Sequence, residues 1–312
     1  MFVYAGSGSF FWFAVAEAIG AIGGTFANGA FTAWLKDKLN HHGYDGPLRS
    51  VFAQEAQIRL ITGGISALVG AYLAVLDLAL PWIVGGVTFF FGGILAIVLI
   101  KEEYFKKEDF SFKGSFKMTK SGVRQGLKNK AVRFMLIMGL LQFFAVQAPN
   151  MQWQPYYLDY LREKSSLGYI YFGISIFAVL GSFLSLWILK KMKNNESRFL
   201  IICQIFIGLG IFFSVIPQIF VVSLSIFLFH EFARGLFLPV SKEYINKNIP
   251  SGTKERATIL SMEGMSHHIG GAVGLVISGL LANYLSIPIT WMIFGAFLFF
   301  ATSWIYLKQK AV

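Results

Sequence analysis

The sequence predicts an all-α fold, a polytopic membrane helical bundle of about nine transmembrane helices, from its composition and from the spacing of its charges. Of the 312 residues, 55% are hydrophobic and only 14% are charged, and the mean hydropathy is +0.61. Soluble domains carry about 25% charged residues. The charges also cluster, and the runs between clusters have about 20 residues, the length that a helix needs to cross ~30 Å of hydrocarbon.

Each predicted span is one of these apolar runs, bounded by charged or turn-forming residues. In chain order the spans are residues 10–34, 58–78, 80–100, 132–152, 167–189, 199–217, 219–241, 265–285 and 287–307. Glycines recur at GxxxG spacing in the first and eighth spans, where we expect close helix packing. These glycines are Gly20, Gly24, Gly270 and Gly274.

Lys and Arg predict which side of the membrane each connection occupies, because basic residues stay preferentially in the cytoplasm. Of the 27 basic residues, 24 fall in connections on one side of the predicted bundle, whereas the other side holds Arg162 and Lys164. We therefore expect a multi-pass protein of the plasma membrane with a cytoplasmic C-terminus and an external N-terminus. The same bias accounts for the net charge of +11 without nucleic acid as a partner.

The longest hydrophilic connection divides the predicted domains. Residues 1–100 hold three helices of an N-terminal bundle, 101–131 a cytoplasmic basic linker, and 132–312 a six-helix C-terminal bundle. Within and just after the linker, the stretch FKMTKSGVRQGLKNKAVRFM is basic and loosely amphipathic. Two interpretations stay open, a helix that lies on anionic lipid and a solvated connection.

Several functional classes lack their sequence signals. The chain has no GxxxxGK[ST] phosphate loop, so we expect no nucleotide-driven transport and no cofactor. Its single cysteine, Cys203, excludes a disulfide within the chain and a cysteine-based metal site. His267 and His268, at the start of the eighth predicted span, have no further metal ligands nearby and fit an interfacial position better.

Two stretches resemble the major facilitator superfamily of transporters. AEAIGAIGGTFANGAFTAWLKDKL, with the pattern Gly29, Ala30, Ala33, Trp34 and Asp37, is similar to the family's fourth helix in drug-exporter-like members. Residues 234–261 are similar to the loop between its tenth and eleventh helices. The resemblance thus begins at the fourth helix, and the first three have no counterpart here. We expect a truncated gene model that begins at an internal Met; the alternative is a nine-span protein.

The resemblance implies that the first, fourth and seventh spans line a central cavity. Polar residues are concentrated on these same spans, at Glu17 and Asn28 in the first, at Gln142, Gln147, Asn150 and Gln152 in the fourth, and at His230, Glu231 and Arg234 in the seventh. Ionisable residues within a span are costly and usually face partners or water. The distribution of polar residues therefore supports the assignment independently of the motif match.

The seventh span carries three ionisable residues in the stretch HEFAR. Glu231 and Arg234 are spaced i,i+3 and His230 and Arg234 i,i+4, so one helical face can hold all three. One interpretation is a fixed latch between helices, in which Glu231 neutralises Arg234. The other is a role in transport, with His230 and Glu231 coupled to proton movement.

Glu17 and the amides of the fourth span are also candidates for function. Glu17 has no basic residue within a turn, which suits either proton binding or a hydrogen bond as a neutral acid. The run FFAVQAPNMQWQPYY, residues 143–157, combines amides and aromatic side chains with Pro149 and Pro155, which we expect to break the helix near its outer end. This run could bind an amphipathic molecule or form an ordinary interfacial aromatic belt.

The sequence therefore predicts a secondary active transporter that exports a small amphipathic organic molecule in exchange for protons. We expect it to be a monomer in the lipid bilayer and not to be an enzyme, since no nucleophile lies with a base near an interface. The alternative is a non-transporting membrane remnant or scaffold.

Overall fold

The computed structural model describes residues 1–27, 34–35, 38–39, 41–44, 48–100, 112–249 and 256–310. Within these residues the chain is helical and has no strand. The helices are α1 (Phe2–Gly6), α2 (Phe10–Ala27), α3 (Leu48–Leu76), α4 (Leu80–Leu99), α5 (Phe112–Lys128), α6 (Lys130–Ala145), α7 (Gln147–Leu158), α8 (Ser166–Lys191), α9 (Glu196–Ser214), α10 (Phe220–Asn248), α11 (Arg256–Tyr284) and α12 (Ile287–Lys310).

Seven stretches of the described chain are long and apolar enough to cross a membrane. They lie in α4 and α8 to α12 and in the combined span Lys130–Leu158, which α6 and α7 form together. Two shorter apolar stretches, Phe10–Gly24 and Ile61–Leu76, lie in α2 and α3. The predicted all-α, polytopic fold is confirmed. Seven of the predicted spans overlap these seven stretches, and the predicted spans 10–34 and 58–78 overlap the two shorter ones within the described residues.

The chain divides into two compact units. The first comprises Met1–Asp109 and Glu163–Phe172, and the second Phe110–Arg162 and Gly173–Val312. In the first unit, α1 packs on α4, where Phe2 lies against Gly86 and the Tyr4 ring stacks on Trp82 with 4.4 Å between centroids. Most described side chains of α4 are exposed and apolar, as expected of a helix that faces lipid, and most of those of α2 are exposed too.

The second unit holds its helices together at glycines. A Cβ on Gly270 or Gly274 of α11 would lie 2.3 Å from the carbonyl oxygen of Leu140 or Phe144 on α6. Such distances are too short for any side chain, so the two backbones touch only because these residues are glycines. The packing predicted at this GxxxG pair is present. At Gly20 and Gly24 of α2, no described atom lies within 4 Å of that position.

The fourth predicted span is interrupted near its middle. Helix α6 ends at Ala145 and α7 begins at Gln147, with Val146 between them. Pro149 explains the interruption, because its nitrogen cannot donate to the carbonyl of Ala145 one turn earlier. The prediction placed the break near the outer end of a span that finishes at residue 152, whereas the helix continues to Leu158.

Asn129 joins two helix ends in the second unit. Its Oδ1 accepts from the backbone nitrogen of Ala131 at 2.9 Å, which caps α6, and its Nδ2 donates to the carbonyl of Asn248 at 2.8 Å, where α10 ends. Replacing Asn129 by Ala removes both contacts and is expected to lower the free energy of unfolding by about 1–3 kcal/mol. Thermal denaturation in detergent measures this loss.

The matched control is Asn195→Ala, which removes the cap of α9, a hydrogen bond of 3.1 Å to the backbone nitrogen of Arg198. Because Asn195 has no such bond to another helix among its described hydrogen bonds, the control is expected to cost only the capping contribution of about 1 kcal/mol. Equal losses in the two variants would show that the bond to Asn248 adds nothing.

Candidate functional site

The three ionisable residues of the HEFAR stretch lie in the middle of α10 and are largely withdrawn from the surface. His230 is fully buried, Glu231 is 6% exposed, and the Arg234 side chain is 28% exposed. Arg234 Nη1 lies 2.8 Å from Glu231 Oε1, so the two form an ion pair along one face of the helix. The predicted spacing therefore does bring acid and base together.

Asn150 extends this pair to another helix. Arg234 Nη1 also donates to Asn150 Oδ1 at 3.1 Å, which connects α10 to α7. We call Asn150, Glu231 and Arg234 the charge cluster. Of the polar residues predicted on the fourth span, Asn150 is the one that the described hydrogen bonds place in this cluster.

His230 points toward the protein interior. Its Nδ1 lies 3.1 Å from the carbonyl oxygen of Phe227, which can only accept, so this nitrogen is assigned as the protonated one. The Nδ1 atom is 3.7 Å from Glu231 Oε1, beyond hydrogen-bonding distance. Among the described residues, Nε2 has no hydrogen-bond partner. A Cβ on Gly210 of α9 would lie 2.6 Å from the Cβ of His230, so α9 and α10 approach closely here because Gly210 has no side chain.

The other amides of the fourth span point to different helices. Gln152 is 7% exposed; its Nε2 donates to the carbonyl of Ser278 at 3.0 Å, and its Oε1 accepts from Trp291 Nε1 at 3.1 Å. Gln147 Nε2 lies beside Gly271 of α11. Gln142 is buried, and its Oε1 has no hydrogen-bond partner among the described residues.

Aromatic side chains of α7 join a buried cluster rather than a belt at the surface. Tyr157 is fully buried and its ring centroid lies 5.5 Å from that of Phe227, which stacks in turn on Trp291 at 5.6 Å. Tyr156 contacts the same Trp291 ring at 5.2 Å. Trp291, which the sequence reasoning did not single out, is thus the centre where α7, α10 and α12 meet.

The candidates on the first span belong to the first unit or lie outside the described residues. Glu17 belongs to the first unit, its side chain is exposed, and it accepts a hydrogen bond from the hydroxyl of Tyr4. Asn28 lies outside the described residues, as do Gly29, Ala30, Ala33 and Asp37 of the drug-exporter-like pattern. The sequence offered no signal for Tyr4 as the partner of Glu17, because the two residues are on different helices.

Glu263 is an ionisable residue that the sequence reasoning missed. The eighth span was predicted to begin at 265, but α11 begins at Arg256, so Glu263 lies inside the candidate span Thr258–Tyr284. Its side chain is half-buried, and the positive charge of Lys242 on α10 interacts favourably with its carboxylate.

His267, predicted at an interface, lies in the same helix and stacks on Phe143 of α6 at 4.2 Å. Among the described residues, no group of three or more His, Cys, Asp or Glu is placed to hold a metal ion.

The hydrogen bonds of Gln152 predict a measurable stability effect. Replacing Gln152 by Leu leaves the buried Nε1 of Trp291 without its acceptor, and a buried unpaired donor costs about 1–3 kcal/mol. We expect the unfolding midpoint in detergent to fall accordingly. The paired replacement of Gln152 by Leu and Trp291 by Phe removes both partners and is expected to recover part of that loss; a further fall instead would assign the effect to packing.

Comparison with known proteins places the chain in a family. A model of the MFS/sugar transport protein family matches residues 48–305, which includes the charge cluster and all helices from α3 to most of α12. No curated protein matches the chain. Since the match covers well over half of the sequence, the chain belongs to the MFS/sugar transport protein family and is a transporter-type member of the major facilitator superfamily.

Proposed function

We propose that the protein is a proton-coupled secondary transporter of a small organic molecule, and that Glu231 is the group that binds the proton. The observation that carries the proposal is a largely buried carboxylate held against Arg234 within a membrane span. Ionisable residues in this setting commonly belong to proton or substrate pathways. Membership in a transporter family supports this role over the alternative of a non-transporting scaffold.

The geometry of the charge cluster suggests how a proton changes it. When Glu231 is ionised, Arg234 Nη1 is shared between its carboxylate and the amide oxygen of Asn150. Proton binding removes the negative charge from Glu231 and weakens the ion pair, which leaves Arg234 less strongly held on its own helix. The hydrogen bond between Arg234 and Asn150 then changes as well. Protonation of Glu231 on α10 therefore affects the connection of α10 to α7.

His230 contributes differently in this proposal. Its donor nitrogen is engaged by the carbonyl of Phe227 and its ring is enclosed, so it has no described route for exchanging a proton with Glu231. We assign it a positioning role, in which its close packing on Gly210 fixes the helical turn that carries Glu231. Glu17, in the first unit, remains a second candidate for proton binding with Tyr4 as its partner.

The substrate is the less constrained part of the proposal. Gln142, Gln147 and Gln152 offer amides on the fourth span, and that of Gln152 bonds the Trp291 ring. The drug-exporter-like resemblance of the first span favours efflux of an amphipathic molecule. The family description names sugar transport, so a sugar is the second candidate substrate. Amides beside aromatic rings suit either class, because they bond hydroxyl groups and the rings cover apolar faces. We also propose a monomer in the plasma membrane with the C-terminus in the cytoplasm.

The test uses the purified chain in proteoliposomes that contain a pH-sensitive dye. Two probes are offered separately under an imposed pH gradient: ethidium, an amphipathic cation, and radiolabelled glucose. The proposal expects one probe to move in a gradient-dependent way and its addition to drive proton flux. Gradient-dependent movement of glucose without ethidium transport would replace the efflux assignment by sugar transport. Probe movement insensitive to the gradient would contradict proton coupling.

A further inference from the structure

Helix α5 lies outside the candidate spans and carries a concentrated positive charge. Its described basic residues, Lys120, Arg124 and Lys128, recur every fourth position and are all exposed. An α-helix places residues with this spacing along one stripe. In the sequence, lysines at 113 and 117 continue the same three- and four-residue spacing, and residues 112–128 contain no Asp or Glu. The stripe therefore has no acidic neighbour on its own helix.

The opposite side of α5 is attached to the second unit. Gly122 and Gly126 are buried, and a Cβ on Gly126 would lie 3.0 Å from Met262 Sδ and 3.6 Å from Ile259 on α11. These contacts lie in the first two turns of α11, which begins at Arg256. The glycine face thus anchors α5 where membrane spans begin, and α6 starts at Lys130 immediately after it.

An apolar side chain borders the basic stripe. Leu127 is 50% exposed and lies seven residues after Lys120, about two helical turns along, so it stands at the edge of the stripe next to Lys120 and away from Gly122 and Gly126. Exposed leucine beside a row of lysine and arginine is the pattern of a helix that rests in the boundary between lipid headgroups and acyl chains.

We propose that α5 lies on the bilayer surface at this end of the spans and binds anionic phospholipid headgroups through Lys120, Arg124 and Lys128. Charge complementarity identifies the partner, because a stripe without acids is attracted to an anionic leaflet and not to a zwitterionic one. Leu127 enters the headgroup region and fixes the depth of the helix. This inference does not depend on the identity of the transported molecule or on the role of Glu231.

The test places an environment-sensitive fluorophore on α5 of the full chain. Leu127→Cys is labelled in a Cys203→Ser background, and the protein is inserted in nanodiscs of phosphatidylcholine with or without phosphatidylglycerol. We expect blue-shifted emission only with phosphatidylglycerol. In the variant Lys120→Gln/Arg124→Gln, the docking equilibrium constant is expected to fall about 25-fold, since each basic residue near an anionic surface contributes about fivefold.

A charge-matched control separates this stripe from general basicity. Lys190→Gln/Lys193→Gln removes two exposed charges of the same unit outside α5, and is expected to leave the emission unchanged. Equal emission in both lipids, or equal loss in the two double variants, would overturn the proposal. Reproduction of the shift by inorganic phosphate in phosphatidylcholine discs would also overturn it, because the ligand would then be a free anion rather than a bilayer.

Discussion

Replacing Glu231 by Gln is expected to reduce proton-driven transport strongly while leaving the chain folded and inserted. Gln has the size of Glu and an amide oxygen that can accept a hydrogen bond from Arg234 Nη1. Gln is neutral, however, and has no carboxylate that a proton could bind and neutralise. Coupling between two ligands is typically 1–3 kcal/mol, so the gradient-dependent part of transport is expected to fall about 5- to 150-fold. Uptake under an imposed pH gradient measures this fall.

Two controls make this result specific to coupling. Exchange of labelled for unlabelled probe, with no pH gradient, needs no net proton movement and is expected to persist in the Glu231→Gln variant. Glu196→Gln changes another acid that pairs with a lysine, Lys247 at 3.0 Å, but this lysine is 66% exposed. Exposed ion pairs contribute at most about 1 kcal/mol to stability, so the Glu196→Gln variant is expected to transport normally. Wild-type transport by Glu231→Gln would reduce the charge cluster to a structural latch.

Replacing Gly270 by Ala is expected to produce a large loss of stability. The new methyl group would lie 2.3 Å from the carbonyl oxygen of Leu140, which belongs to the backbone of α6 and cannot rotate away. The two helices must therefore separate, and overpacking of this kind costs about 1–3 kcal/mol or more. Cys203 is 3% exposed, so reaction of its thiol with a maleimide during heating reports unfolding of the second unit.

Gly264 provides the matched control on the same helix. No described atom lies within 4 Å of a Cβ at this position, so Ala meets no obstacle there. Because Ala favours a helix over Gly by about 1 kcal/mol, Gly264→Ala is expected to raise the midpoint slightly or leave it unchanged. A midpoint for Gly270→Ala that equals the Gly264→Ala value would show that α6 and α11 can separate without cost, contrary to their packing at glycines.

The positions of the spans follow from the sequence because an apolar run of sufficient length has few alternatives to a membrane helix. The ion pair of Glu231 and Arg234 was also predictable, since both residues belong to one helix whose geometry fixes their spacing. The start of α11 was not. The polar residues before residue 265 suggested a connection, but the helix begins at Arg256 and carries Glu263 into the span.

Contacts between helices could not be predicted from the sequence, for a different reason. Gln147, Asn150 and Gln152 lie within six residues of one another. Even so, the amide of Gln147 lies against α11, that of Asn150 contacts α10, and that of Gln152 bonds both α11 and α12. Those directions depend on how neighbouring helices cross, and the crossings depend on single glycines such as Gly270. Local spacing therefore predicts which side chains share a face but not which partner that face meets.

The interruption at Val146 has a mechanical consequence. It divides the 29-residue span Lys130–Leu158 into a part clamped by backbone contact to α11 and a 12-residue part held only by side chains, through hydrogen bonds from Asn150 and Gln152 and ring contacts of Tyr156 and Tyr157. Hydrogen bonds can be exchanged one at a time, whereas interlocked backbones must move as a whole. We therefore expect a change at Arg234 to tilt α7 about Val146 while α6 stays in place against α11.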